Sequence, residues 1–166
     1  MEKYFKRKSS IEPSSSPPPP KRKEIDLANL SSDPGLRPRI LEYGPNDREE
    51  VWRAYLQKGP CQPHTYSFPQ KIIGQVLRRF NPSWFNEYPN WLEYSIAKDS
   101  AFCLCCYLFK PEIGEQTCGN DSFVGGGFSN WKKKEKFKIY DGGSLSVHNQ
   151  YVSMCHDLMN KKNILR

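Results

Sequence analysis

One segment restricts the fold more than any other: residues 91–109, with the sequence WLEYSIAKDSAFCLCCYLF. Its first part is rich in aromatic and aliphatic side chains, residues 98–100 supply turn chemistry, and residues 101–109 return to β-prone types. The pattern predicts a β-hairpin. Its second strand would carry Cys103, Cys105 and Cys106.

Cys103 and Cys106 have the C-x2-C spacing of a zinc knuckle, in which a tight turn directs two thiolates at one tetrahedral ion. In a regular strand, successive side chains point to opposite faces, so these two thiols would diverge. Zinc binding therefore requires the strand to be broken between them. The alternative is a set of free thiols buried in a hydrophobic strand, because cysteine is among the most buried residue types.

The composition favours a small domain stabilised by a metal. The chain has 166 residues, of which 37% are hydrophobic and 13% aromatic, so its core is predicted to be built from rings. Small cores often need a metal or disulfides. The first residues, MEKYFKRK, are not followed by the apolar segment of a signal peptide, and no apolar run reaches the roughly 18 residues of a membrane span. We therefore expect no membrane partner and a reducing compartment, where clustered cysteines bind metal.

We expect residues 1–40 to form a disordered tail, because the segment SSIEPSSSPPPP holds little that could be buried. Residues 1–23 carry +5 of the net charge of +7, so the folded part, assigned to residues 41–166, is nearly neutral. A short basic cluster after the prolines has the form of a nuclear import signal, which an import receptor would bind; the alternative is a solvated basic patch. The cluster consists of Lys21, Arg22 and Lys23.

Two features are predicted ahead of the hairpin. Residues 47–58 should form a short amphipathic helix, capped by Asn46 with Glu49 and ended by Gly59-Pro60, with a Trp–Tyr face on the core. Residues 84–94 then bring a series of aromatic side chains. A platform for stacking nucleic-acid bases is one interpretation, but few basic residues are interleaved, so we interpret the series as core.

A basic helix is predicted after the glycine-rich turn at residues 125–127. Ser129 can cap this helix, and Trp131 and Phe137 are candidates for burial. A run of lysines is commonly a solvated helix face; the sharper interpretation is contact with nucleic-acid phosphates. The run contains Lys132, Lys133, Lys134, Lys136 and Lys138.

A final helix is predicted from Ser144 or Ser146 to about Lys162, with His148 in its first turn. Apolar residues recur at helical spacing along it, so one face should pack inward. The residues expected on that face are Val147, Tyr151, Met154 or Cys155, Leu158 and Met159.

His148 is the third predicted zinc ligand, because small zinc folds place ligands at the start of a helix after a hairpin. Cys155 and His156 would lie roughly 10–12 Å further along the helix, too far to share one ion with His148. The fourth ligand stays open between Cys118, Cys105 and a residue near position 140.

Cys61 and His64 also have ligand spacing. They lie in a proline-rich loop without a second matched pair, so we regard them as a weak candidate for a metal site.

Three blocks of sequence resemble the TTF-type zinc-finger domain: WFNEYPNWLEYSIAKDSAFCLCCYLF, FVGGGFSNWKKKEKF and GGSLSVHN. That domain occurs near the N-terminus of plant MYM-type zinc-finger-like proteins derived from hAT-superfamily transposases. The resemblance runs from about Ile25 to the C-terminus. It implies a zinc-binding, DNA-binding module tethered to a transposase-like domain.

By position, the resemblance implies that the ligands are Cys103, Cys106, a histidine just before Gly142-Gly143, and His148. Tyr140 stands where that histidine would be. A neutral phenol with a pKa near 10 is a poor zinc ligand. Either a neighbouring cysteine substitutes, or zinc binding is weakened or lost.

We therefore expect a small α+β fold with a zinc-stabilised β-hairpin, helices and a disordered basic tail. Because the sequence stops at Arg166, just after the finger, we expect the catalytic and dimerisation regions of the transposase-like proteins to be absent. No acidic constellation for two-metal phosphoryl chemistry is found either. The predicted function is a non-enzymatic nuclear module that binds DNA weakly or non-specifically. The alternatives are a protein-interaction module and a truncated transposon-derived product without DNA binding. A thiol redox enzyme is disfavoured, because the C-x2-C motif would lie mid-strand and not at a helix N-terminus.

Overall fold

The structure is a computed structural model that describes residues 24–110 and 121–164. Five α-helices, four 3-10 helices of three residues each and two separate two-stranded antiparallel sheets make up this part, which confirms the small α+β fold. The elements in chain order are α1 (Arg48–Lys58), β1 (Lys71–Ile73), β2 (Val76–Arg78), α2 (Trp84–Glu87), β3 (Leu92–Ser95), β4 (Ser100–Cys103), α3 (Leu104–Phe109), α4 (Glu135–Asp141) and α5 (Val147–Ile164).

The predicted hairpin is β3–β4, paired from Leu92 opposite Cys103 to Ser95 opposite Ser100. Asp99 takes a left-handed conformation in the turn, with φ at 46°, and its carboxylate accepts a hydrogen bond from the Tyr94 hydroxyl. All eight strand residues are buried. Burial without alternation means that both faces of the hairpin are covered by protein.

The prediction that the second strand runs to Phe109 is wrong, because β4 ends at Cys103 and helix α3 follows at once. Packing overrides the local β-propensity here: Leu104 and Leu108, one helical turn apart, enter the same apolar cluster. The strand is thus broken between Cys103 and Cys106, as zinc binding requires.

Two apolar clusters meet at α3. The larger is built mainly from rings and includes most of the aromatic series predicted as core, with Trp84, Phe85, Trp91 and Tyr94 all buried. The smaller lies between α1, the N-terminal segment and α3. Burying one aromatic side chain contributes about 1.5–3 kcal/mol, so this density of rings supplies much of the stability of so small a domain.

Phe128 joins the hairpin through two backbone hydrogen bonds with Ala101, of 2.8 and 2.9 Å. Gly127 makes this approach possible, with φ at 82°. A Cβ atom on Gly127 would lie 2.5 Å from Ser100 Cβ and 2.7 Å from the Phe102 ring. The predicted glycine-rich turn therefore serves to bring the following chain against β4.

Residues 24–40, expected in the tail, pack against the domain instead. Leu30, Pro34 and Ile40 are buried, and the Arg37 guanidinium forms two hydrogen bonds of 2.7 Å with the Glu93 carboxylate on β3. The folded unit therefore begins before the predicted boundary at residue 41. Residues 1–23, with the predicted import signal, lie outside the described residues.

The helix predicted over residues 47–58 is α1, with Val51 and Tyr55 buried and Gly59 at its C-terminal end. The residue before its first turn is Asp47, not Asn46, and no side-chain cap bond forms there.

None of the helices in the described part of the chain has the length and apolar character that a membrane span requires.

The predicted basic helix begins later than expected. Residues 129–134 form turns, with hydrogen bonds from Trp131 N to Ser129 O and from Lys133 N to Asn130 O, and α4 starts at Glu135. Trp131 and Phe137 are buried as predicted. The burial of Trp131 in the ring cluster fixes the chain ahead of α4 and displaces the helix start.

For α5, Ser146 is the cap, since its Oγ accepts a hydrogen bond from Asn149 N at 3.1 Å. Cys155 is buried, as expected of the inward face. Of the two alternatives Met154 and Cys155, it is Cys155 that faces inward, and Met154 is 45% exposed. The prediction is wrong for Val147 and Met159, which are 58% and 39% exposed. The buried face is narrower than the apolar pattern, because α5 is covered mainly by α3 along one side.

Candidate metal centre and basic surface

Three elements bring the three predicted zinc ligands together. Cys103 is the last residue of β4, Cys106 lies in the first turn of α3, and His148 is the second residue of α5. All three are buried, and their ligand atoms lie within 4.8 Å of one another. His148 Nδ1 lies 3.5 Å from Cys103 Sγ and 3.4 Å from Cys106 Sγ.

These separations fit a tetrahedral zinc ion. With Zn–S near 2.3 Å and Zn–N near 2.0 Å, sulfur and nitrogen ligands of one ion lie roughly 3.5 Å apart. Two thiolates and one imidazole are also a donor set typical of zinc. The residues present therefore fit the ion, and Cys103 Sγ, Cys106 Sγ and His148 Nδ1 are the atoms that would hold it.

The knuckle also polarises its own thiols. Cys106 N–H points at Cys103 Sγ across 3.4 Å. The pKa of Cys106 is lowered to about 5, because a hydrogen bond from the Cys103 thiol, and then bonds from His148 and Tyr140, stabilise its thiolate against the cost of burial. Burial and the neighbouring Cys106 raise the pKa of Cys103. Cys106 is therefore the sulfur atom of the pair whose thiolate is favoured.

The His148 ring is oriented from its other side. Its Nε2 lies 3.5 Å from Asp141 Oδ1, and the same oxygen accepts a 2.9 Å hydrogen bond from Trp91 Nε1. The ring also packs against Trp91 and Tyr140, with centroids 4.8 and 4.7 Å away. At this separation no hydrogen bond forms, and His148 Nε2 is buried without a partner among the described residues. Asp141 lies where the outer partner of a metal-ligating histidine is usually found, and the sequence pattern did not single it out.

Tyr140 lies at the position where the resemblance implies a fourth ligand. It is 8% exposed, and its hydroxyl contacts the sulfur atoms of Cys106 and Cys103. Burial and the two adjacent sulfur atoms raise the pKa of Tyr140 above its ordinary value. The hydroxyl is therefore neutral at physiological pH, and it serves as a hydrogen-bond donor to the thiolate.

The other candidate ligands lie elsewhere, within the part of the chain that the structure describes. Cys105 is buried and turned toward Cys155, and a hydrogen bond between these thiols, followed by burial, raises the pKa of Cys105. His156 is exposed, and His64 packs its ring on Phe85 at 5.1 Å. Cys118 lies outside the described residues. Within residues 24–110 and 121–161, the groups at the candidate metal site are therefore Cys103, Cys106, His148 and the Tyr140 phenol.

The sequence pattern disfavours a thiol redox enzyme because it predicts the C-x2-C motif in the middle of a strand. This prediction is wrong, since the motif lies at the end of β4 and the start of α3. Burial argues against redox chemistry instead. Cys103 is 0% exposed and Cys106 is 3% exposed, whereas reactive cysteines are partly open to their reaction partners.

The predicted phosphate-binding lysines fall on two elements. Lys132, Lys133 and Lys134 are exposed in the turns before α4. Within α4, Lys138 is exposed and Lys136 half-buried. We call residues 129–134 the basic turn; its charged side chains are Lys132, Lys133 and Lys134, and no acidic residue lies between Asp121 and Glu135 in the sequence.

A family model described as DUF4371, ZMYM1/FAM200, RNase-like domain, matches residues 121–166, the segment that contains Tyr140 and His148. Zinc finger MYM-type protein 5 of Mus musculus is 30% identical over 152 residues, covering 84% of this chain and 22% of that protein. The proteins of the same name from Macaca fascicularis and Homo sapiens are each 36% identical over 88 residues, covering 48% of this chain and 12% of their own length.

No solved structure matches the chain. The chain spans about a fifth of the length of the mouse relative. The comparisons support a relationship between this chain and the MYM-type zinc-finger proteins.

Proposed function

We propose that this chain is a nuclear, zinc-dependent module that binds nucleic acid through a basic surface and catalyses no reaction. The observation that carries the proposal is the buried cluster of Cys103, Cys106 and His148, whose ligand atoms have the spacing of one zinc site. The similarity to proteins named as zinc fingers supports the same interpretation.

Zinc in this site would be structural. It would join the end of β4 to the starts of α3 and α5, three segments up to 45 residues apart in sequence. Zinc supplies tetrahedral bonds to thiolate and imidazole, and this binding energy becomes folding energy because the site does not exist in the unfolded chain. The complete burial of the ligands leaves no room for a substrate.

Nucleic acid is the proposed partner because the basic turn presents exposed positive charge on a segment that is anchored in the core. Trp131 anchors this segment in the ring cluster, and the three lysines that follow it point outward. Such lysines bind phosphates without reading sequence, so the binding should be weak and non-specific. The similarity to an RNase-like family over residues 121–166 is consistent with descent from a protein that handled nucleic acid.

The proposal also includes a more specific family assignment and a route into the nucleus. We take the chain as a TTF-type finger from the transposase-derived branch, imported into the nucleus through Lys21, Arg22 and Lys23. The basic cluster and the similarity to MYM-type proteins support this. Fusion of residues 1–23 to a fluorescent protein tests the import, and a cytoplasmic reporter would contradict it.

Metal content tests the site. Protein purified without added metal should contain one zinc ion per chain, and Cys103→Ser and His148→Ala should each lose it together with cooperative unfolding. Cys61→Ser is the matched control, since Cys61 lies outside the cluster and should keep the zinc. A folded wild-type chain without zinc, measured by elemental mass spectrometry, would contradict the proposal.

Salt dependence tests the partner. Duplex DNA affinity should fall steeply with salt, and the slope of log K against log salt should become shallower by about 3 in the variant with Lys132, Lys133 and Lys134 changed to Glu. Lys161→Glu, an exposed charge on α5, should change the slope little. Equal affinity at low and high salt, measured by fluorescence anisotropy, would rule out the electrostatic interaction.

A further inference from the structure

The β1–β2 hairpin has no role in the metal centre. It is closed by a two-residue turn, Gly74-Gln75, with φ values of 57° and 67°, which is the geometry of a tight type I′ hairpin. Ile72 pairs directly with Leu77 across the two strands. Because side chains alternate along a strand, these two residues share one face and Ile73 and Val76 share the other.

One face of this hairpin is anchored and the other is open. On the anchored face, Ile73 packs on the ring cluster and Lys71 Nζ lies 5.1 Å from the centre of the Trp131 ring. On the open face, Ile72 is 74% exposed and Leu77 59% exposed. An apolar cross-strand pair is thus exposed to solvent on the open face, and Val76, at the turn end of the other face, is 51% exposed.

The ribbon is continuous with the basic turn. A Cβ atom on Gly74 would lie 3.4 Å from Lys132 Nζ, so this ammonium group sits directly against the hairpin turn. Arg79, the first residue after β2, is exposed. Residues 71–86 contain three basic side chains and no acidic one. Lys71 pairs with the Asp99 carboxylate at 3.1 Å, which leaves Arg78 and Arg79 as the basic residues at the end of β2.

This combination fits duplex DNA better than a protein partner. Stable protein interfaces bury about 800 Å² on each side, far more than one exposed apolar pair offers. A two-stranded ribbon fits into the major groove, where apolar side chains contact thymine methyl groups, and Ile or Leu can also act as a wedge at a base step. Cations on both flanks suit the phosphates that border a groove.

We propose that the β1–β2 hairpin enters a groove of duplex DNA, with Ile72 and Leu77 touching the bases while Arg79 and the basic turn hold the phosphates. This inference rests on the proposed nucleic-acid function and extends it to base contact. It predicts two separable contributions: a salt-dependent one from the lysines, and a salt-independent one from the apolar pair.

The test uses a double variant that carries both Ile72→Ser and Leu77→Ser. Its binding to a duplex of about 20 base pairs is compared with that of the wild type. The double variant should bind about 5- to 10-fold more weakly at every salt concentration. The slope of log K against log salt should be the same as in the wild type. A matched control combines Leu145→Ser and Met154→Ser, which are 91% and 45% exposed on or beside α5, and should bind like wild type. Circular dichroism and thermal unfolding verify that both variants fold.

A second measurement does not depend on affinity. A photo-crosslinking benzoylphenylalanine at position 77 should form a covalent adduct with the duplex, and the same group at position 145 should not. Salt-dependent wild-type binding with no effect of the Ile72/Leu77 change and no adduct would overturn the hairpin inference alone. Absence of any wild-type binding at low salt would overturn it together with the proposed function.

Discussion

At the scale of single residues, Tyr140 is the side chain that sets the candidate metal site apart from a site with four strong ligands. Its ring lies beside the His148 ring, with centroids 4.7 Å apart, and its hydroxyl contacts both ligand sulfur atoms. A phenol there can donate a hydrogen bond to a thiolate, but as a neutral group it adds little as a fourth zinc ligand. Among the described residues the candidate site therefore has three strong ligands, and the Tyr140 hydroxyl supports the Cys106 thiolate.

Replacing Tyr140 with His should tighten zinc binding about tenfold or more, because an imidazole there would complete a four-ligand site. Competition with a chromophoric chelator measures the change, and cobalt substitution reports the gain of tetrahedral geometry. Tyr140→Phe is the control, since it keeps the ring and removes the hydroxyl, and it should not bind more tightly than wild type. Zinc affinity of the His variant equal to or below wild type would show that position 140 does not face the ion.

At the scale of elements, the first turn of α5 delivers the histidine to the two cysteines. Ser146 Oγ accepts the Asn149 N–H bond, and Asn149 Nδ2 donates to the Asp141 and Gly143 carbonyl oxygens at 2.8 Å. These bonds tie the helix start to the end of α4, which carries Asp141 and Tyr140. The cap and the metal ligand are therefore parts of one local arrangement.

Ser146→Ala should lower the free energy of unfolding by about 1 kcal/mol, the usual cost of removing a side-chain cap. Because His148 lies in the same turn, zinc affinity should fall modestly as well. Chemical denaturation of the zinc-loaded protein measures the first effect. Ser144→Ala is the control, since Ser144 is exposed and should be neutral within about 0.5 kcal/mol; equal losses from both changes would contradict the assignment of the cap.

At the scale of the whole molecule, a buried ion pair fastens the N-terminal segment to the hairpin that carries Cys103. Arg37 and Glu93 are 2% and 0% exposed in their side chains, and Cys61 N–H adds a third bond to the carboxylate at 3.0 Å. Arg37 also lies over the Tyr55 ring at 4.5 Å. Burial alone would lower the pKa of Arg37, but the Glu93 carboxylate raises it above its ordinary value.

Arg37→Met should destabilise the protein by about 3–5 kcal/mol, because it leaves a buried carboxylate without its cation. Adding Glu93→Leu should recover much of that loss, since a matched apolar pair removes the unpaired charge. Arg53→Met is the control: its partner Glu49 is 59% exposed, so the loss should stay under about 1 kcal/mol. Additive losses in the double variant would show that the two side chains are not energetically coupled.

The sequence alone determined the local features, each of which depends on neighbouring residues. Spacing and propensity predicted α1, the β3–β4 turn, the ring-built core and the three ligands Cys103, Cys106 and His148, which the structure brings together. C-x2-C spacing is informative because the turn that joins two such thiols is itself local.

Only the tertiary structure decided what depends on residues far apart in the chain. Leu104 and Leu108 turn a β-prone segment into a helix by packing on α1 and the N-terminal segment, and Arg37 finds Glu93 across 56 positions. Asp141 reaches His148 through the path of the chain between α4 and α5. Propensities of a few tenths of a kcal/mol per residue yield to burial worth several times as much, which is why these contacts leave no periodic signal in the sequence.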